Sequence, residues 1–249
     1  MKRSRDDIIH FINDYLRVTE FEDYCVNGLQ IEGAPDVDSI VLGVSSSARL
    51  FDEAVARRAQ MIIVHHGMFW VNDPRPYAVT GVVRNRIAAL IKNDINLAAY
   101  HLPLDAHPET GNNAQILKKL DVKIVESAPF TCCGETDKPM AISDFVHMID
   151  DRLGTRCMSL AFGAEHVHRL CVTSGAGMSE YQTALQCGAD TFVTGEIKES
   201  SVRLMEELKM NLIVAGHYNT EKFGIQALGG LLQDRFGIPC EFVDIPNPV

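Results

Sequence analysis

SIVLGVSSSARLFDEAVARRAQMIIVHH, residues 39–66, is the stretch on which the fold turns. IVLGVS (Ile40–Ser45) and MIIVHH (Met61–His66) are apolar runs of six, the length of a buried strand. Residues 48–58 between them have helical patterning. A strand, a helix and a second strand in that order join parallel neighbours in a sheet. NLAAYH (96–101) reads as the next strand, and 85–92 and 112–120 as helices. Upstream, Ile8, Ile9, Phe11, Ile12, Tyr15 and Leu16 recur at helical spacing, with Ser4 as a candidate N-cap. NGLQIEG (27–33) reads as a turn-rich connection.

The same order returns later. Residues 169–196 echo 39–66 at an offset of 130: Ala54 falls on Ala184, Ala59 on Ala189, and His66 on Glu196. NLAAYHLPLD (96–105) then matches NLIVAGHYNTE (211–221) with one insertion, and a helix over 224–234 answers that over 112–120. The expected fold is therefore α/β, with two duplicated α/β units of mostly parallel sheets. The first unit is expected over 1–125 and the second over 126–249. Residues 126–168 read as a less regular connection holding one helix, 142–153.

Composition sets the outer limits. The chain has 249 residues, 46% hydrophobic and 22% charged, which excludes disorder, collagen and coiled coil. No stretch approaches the roughly 20 apolar residues of a membrane span. Two aspartates follow the basic start MKRSR, where a signal peptide would carry its apolar core, so a cytoplasmic protein is expected. A net charge of −10 argues against broad nucleic-acid binding. The seven scattered cysteines contain no Cys-x-x-Cys and read as reduced core thiols. Adjacent Cys132 and Cys133 are a weaker candidate for a soft metal.

Ligands of open α/β sheets bind beyond the carboxyl ends of the strands. Collected there are His65, His66, His101, Asp105, Glu196, His217 and Glu221. Imidazole and carboxylate together suit borderline divalent ions. Successive side chains on a strand point to opposite faces. His65 and His66 therefore need a turn at the strand end, where Gly67 is placed to allow it. His217 and Glu221 meet if a helical turn begins there. A carboxylate can bridge two ions, as two-metal hydrolytic sites require. Such a site is expected between the two units. His10, His107, His147, His166 and His168 read as surface or structural. SGAGMS (174–179) lies between a strand and a helix and reads as a tight turn, with an anion cradle as the alternative.

IIVHHGMFW (62–70), HLPLDAHPETGNNAQ (101–115), TGE (194–196), AGHYNTE (215–221) and VDIPNPV (243–249) closely resemble the Nif-three-like dinuclear metal-centre family. That family is also called type-two GTP cyclohydrolase I. The resemblance covers nearly the whole chain. It implies His65 and His66 as ligands, one to each of two divalent ions, with Fe, Mn and Zn the leading candidates. Asp105 would ligate one ion, His217 the other, and Glu221 would bridge them. His101 would be a weak ligand or the acid–base group, and Glu196 would support the ligands from outside. The resemblance further implies a homohexameric toroid.

The expected function is metal-dependent hydrolysis of a small anionic substrate, a nucleotide or phosphorylated metabolite, with His101 managing a proton. Opening of the purine ring of GTP is one specific version. The alternatives are a metal store, metallochaperone or regulatory scaffold, and a DNA-binding ring, for which no basic run is present.

Overall fold

The computed structural model describes residues 2–73 and 78–249. The chain divides into two compact units, Met1–Leu104 with Ile225–Ile245, and Asp105–Gly224 with Pro246–Val249.

The sheet of the first unit runs Cys240–Phe242, Ile40–Ser45, Met61–His66, Asn96–Ala99, Gly28–Ile31. Its first three pairings are parallel and the last is antiparallel. Alternation along the strands divides their residues between two cores. Ile40, Leu42, Met61, Ile63 and Ala98 pack with Ile8, Ile12, Leu228 and Leu232. Val41, Ile62, Val64, Leu97 and Ala99 pack with Leu50, Phe51, Ala54 and Leu90. Both faces are covered, which is why these strands read as unbroken apolar runs. The opening helix is Arg5–Tyr15, and Ser4 Oγ caps it by accepting the Asp7 amide at 3.3 Å. The NGLQIEG stretch, expected as a connection, holds an edge strand. Gly28–Ile31 pairs antiparallel with Asn96–Ala99, with a register shift between Leu29 and Ile31 that breaks the pattern a strand would show in sequence.

The sheet of the second unit runs Lys123–Ala128, Thr131–Ala141, His166–Thr173, Thr191–Thr194, Asn211–Val214, Met158–Leu160. Only the two central pairings are parallel; the other three are antiparallel. The expectation of mostly parallel sheets therefore fails for this unit. The cause lies in 126–168, expected to be irregular, which supplies strands to both edges of the sheet. Its helix, Ile142–Leu153, stands where the sequence put it.

The expected division at 125/126 also differs from the compact units. The helix His217–Phe236 begins in the second unit, but its later turns contribute Ile225, Leu228 and Leu232 to a core of the first. The strand Cys240–Phe242 then pairs with Ile40–Ser45. A terminal strand that returns to an earlier sheet leaves no local mark in sequence.

Cys133 and Cys171 are not reduced thiols but a disulfide. They are register partners on adjacent antiparallel strands, with Cα atoms 4.0 Å apart. The Cys132–Cys133 metal pair is also overturned. Alternation sends Cys132 to the core that holds Phe145 and Cys133 to the one that holds Phe192.

Two buried asparagines hold equivalent posts in the two units. Asn96 Oδ1 accepts the Gly33 amide at 2.8 Å, and its Nδ2 donates to the carbonyls of Ala34 and Gln60. Asn211 Oδ1 accepts the Gly163 amide at 2.8 Å, and its Nδ2 donates to the Ala164 carbonyl. Asn96→Ala is expected to lower stability by roughly 2–4 kcal/mol, because each buried amide group left without a partner costs about 1–3. The urea midpoint measures this. A loss well below 1 kcal/mol would mean that water takes over the side chain's bonds.

Among the described residues, no helix is long and apolar enough to cross a membrane.

Candidate metal centre

In the first unit, three imidazoles gather at the ends of two neighbouring parallel strands. One nitrogen from each of His65, His66 and His101 lies within 4.8 Å of the others. The ring centroids of His65 and His66 are 4.6 Å apart, although the residues are adjacent in the chain. Gly67, the next residue, packs tightly against its neighbours, since a Cβ there would overlap Ala99 and the Gln30 amide. His65 is fully buried, and its Nδ1 donates to the Tyr100 carbonyl at 2.9 Å. His66 Nδ1 is 3.0 Å from Ser45 Oγ.

His101 has a charged neighbour that sequence reading missed. Its Nδ1 lies 2.9 and 3.2 Å from the two oxygens of Asp23. Asp23 also accepts the amides of Cys25 and Leu102 and the Asn27 side chain, while Asn27 Oδ1 accepts the His101 amide. Asp23 precedes the edge strand in a segment without periodicity, so no motif drew attention to it.

Burial pushes the Asp23 carboxyl up, but the bonds from His101, Asn27 and the Cys25 amide outweigh it and hold the group at about 2. A carboxyl held below its ordinary value of 3.8 stabilises the fold above that pH. The stabilisation is lost as the pH falls from about 4 through 2. The stability difference between the native chain and Asp23→Asn is therefore expected to shrink across that window. Acid unfolding curves measure it, and a difference that stays constant from pH 5 to pH 2 would contradict it.

In the second unit, a carboxylate-rich group forms where the helix His217–Phe236 begins. The i, i+4 spacing brings His217 Nε2 to 2.9 Å from Glu221 Oε2, and His217 Nδ1 is 3.2 Å from Glu196 Oε2. Asp105 and Glu221 each bring an oxygen within 4.8 Å of the other's. Asp105 Oδ1 accepts from Asn112 Nδ2 at 2.7 Å and lies 3.4 Å from Ser174 Oγ. Burial would lower the His217 basicity, but Glu221 and Glu196 outweigh it and raise the ring above its ordinary range. Two carboxylates on one imidazole, with Asp105 beside Glu221, leave an excess of negative charge, which a cation would neutralise.

SGAGMS supplies the wall of this group and not an anion cradle. The amides of Ser174, Gly175 and Gly177 donate to Asn113, Thr220 and Thr194 side chains. Gly175 has φ +59°, and a Cβ there would collide with the Glu221 carboxylate. Gly195 of the Thr-Gly-Glu motif is equally close-packed, with room for a Cβ taken by the Gly175 carbonyl and the His217 backbone. His10, His147, His166 and His168 are exposed, and His107 Nδ1 accepts the amides of Glu109 and Thr110.

The donor sets fit divalent ions of the borderline class, with imidazole in one unit and imidazole and carboxylate in the other.

Comparison with known proteins gives these sites a context. A protein named GTP cyclohydrolase 1 type 2 homolog from Yersinia pestis is 41% identical over 239 residues, covering 95% of this chain and 96% of its own. The Escherichia coli K12 protein of the same name is 39% identical over 244 residues, covering 97% and 98%. A solved structure described as protein ybgI, of unknown function, has a TM-score of 0.95 at 38% identity, covering 99% of this chain and all of its own. TTHA1606 from Thermus thermophilus has a TM-score of 0.91 at 33% identity, again covering 99% of this chain and all of its own. Residues 3–248 match the model of the family described as Duf34/NIF3 (NGG1p interacting factor 3), and the chain belongs to that family.

Proposed function

We propose that the two groups serve one dinuclear divalent-metal centre, in a hydrolase acting on a small anionic substrate. His65 and His66 would each ligate one ion, Asp105 one of the two, His217 the other, and Glu221 both, with Fe, Mn or Zn as the ions. The observation that carries this reading is Glu221, a carboxylate only 3% exposed, held against His217 and near Asp105. A buried carboxylate beside a second one is costly without a compensating cation.

When bound, such ions polarise an electrophile and make water nucleophilic near neutral pH. The chain's own residues have distinct tasks. The Tyr100 carbonyl fixes the His65 ring by accepting a hydrogen bond from its Nδ1–H, which leaves Nε2 as the atom that would bind metal. Glu196 orients His217 in the same way. His101 takes and returns a proton. Two divalent ions against Asp105 and Glu221 leave a charge of +2, which favours a phosphate or carboxylate on the substrate. The relatives' name suggests one version, hydrolytic opening of the purine ring of GTP.

Duplication of one α/β unit belongs to the same proposal. The paired posts of Asn96 on Gly33–Ala34 and of Asn211 on Gly163–Ala164 support it, at the offset of 130 for the glycines and alanines. A homohexameric assembly, implied by the resemblance alone, is part of the same proposal.

Elemental analysis of protein purified without a chelating tag is expected to give about two ions per chain. His101→Ala is expected to keep both ions and to lose turnover by roughly 10²–10⁴, the usual worth of a positioned acid–base group. No metal after anaerobic reconstitution with Fe, Mn and Zn would sink the proposal. The proximity of His101 to His65 and His66 favours one other reading, a closed coordination set suited to metal storage. Loss of metal in His101→Ala would select it.

A further inference from the structure

The three clustered imidazoles of the first unit differ in what their Nδ1 atoms face. For His65 it is a backbone carbonyl and for His66 a hydroxyl. For His101 it is a carboxylate, Asp23, whose side chain is 2% exposed. Asp23 takes three further N–H donors, from Cys25, Leu102 and Asn27, so its plane is fixed from several sides. Asn27 holds both members of the pair, donating to Asp23 and accepting from the His101 backbone. The edges of Tyr24 and Trp70 flank the His101 ring, with centroids at 5.0 and 5.4 Å.

We propose that Asp23 is the positioning residue of His101: it fixes the proton on Nδ1, turns Nε2 toward the His65–His66 pair, and equips His101 for proton handling rather than for holding metal. This rests on the hydrolytic reading given above. A carboxylate that already accepts three other donors can only accept from His101, so the ring must donate through Nδ1. Nε2 is then the one nitrogen that can exchange a proton with a reacting group. The Asp23 contact thereby fixes both the tautomer and the orientation of the ring. The Nδ1 partners of His65 and His66 are instead a carbonyl and a hydroxyl.

Ring ¹⁵N spectra of histidine-labelled protein at pH 8 test the tautomer directly, with His101→Gln identifying the signal. The expected result is a protonated Nδ1 and a bare Nε2 for His101, with that preference weakened or reversed in Asp23→Asn. Zn(II) competition against a chelator is run in parallel on the native chain, Asp23→Asn and His101→Gln. Zn(II) affinity is expected to change by less than about tenfold, the smallest loss usual when a ligand's support is removed. A His101 protonated on Nε2 in the native chain overturns the proposal and needs no variant to fold. A loss of tenfold or more in both variants also overturns it, because His101 is then a ligand. A native chain that binds no Zn(II) but has the Nδ1–H tautomer refutes the metal reading alone and leaves Asp23 as the group that positions His101.

Discussion

The Glu221→Ala chain is expected to lose its metal while keeping its fold. Glu221 sits in the first turns of a 20-residue helix, where alanine is the best-tolerated replacement. Its carboxylate is buried against His217 and near Asp105. Removing it deletes a ligand and leaves the imidazole with fewer anionic neighbours. Outer-sphere supports already cost 10–100-fold in metal affinity, so loss of a shared ligand is expected to cost more than roughly 100-fold. Elemental analysis after dialysis and chelator competition both measure it. Stability of the metal-free protein is expected to move the other way or not at all, since an uncompensated buried carboxylate is removed. A variant that retains two ions per chain would refute the bridging role. One that fails to fold even with metal would assign Glu221 to the structure instead.

Gly175→Ala is expected to weaken metal binding without touching any ligand. The backbone at Gly175 has φ +59°, where a side chain costs about 1–2 kcal/mol. The added Cβ would also collide with the Glu221 carboxylate and approach His217 Nε2 to 3.3 Å. The carboxylate must then swing away from where it is needed. Gly188→Ala is the control: its φ is +67°, and a Cβ there meets nothing within 4 Å. Both variants should lose similar stability from the backbone, and only Gly175→Ala should lose metal, by about tenfold or more on the scale of displaced supports. Equal metal affinity in the two variants would show that Glu221 moves aside without consequence.

Much of this was legible in the chain itself. The apolar runs at Ile40–Ser45 and Met61–His66, and the helices around them, are local patterns that burial on both faces of a sheet imposes on any sequence. The candidate ligands were legible for a related reason. Polar residues immediately after an apolar strand stand out against it, and the motifs around them carry the family resemblance. Tertiary structure alone decided the rest. Asp23 reaches His101 across 78 positions, and Asn96 reaches Gly33 across 63, through side-chain bonds that no periodicity encodes. Cys133 found Cys171 through strand register, and the strand Cys240–Phe242 rejoined the first sheet through pairing of backbone with backbone. Sequence determined the type of the apolar central strands and of the helices, because these are set by nearest neighbours and by which face is buried, but not of the strands Gly28–Ile31, Thr131–Ala141 and Met158–Leu160. Which segments meet was decided by packing and hydrogen bonds between residues far apart in the chain, and that is where the charge balance of the candidate site is made.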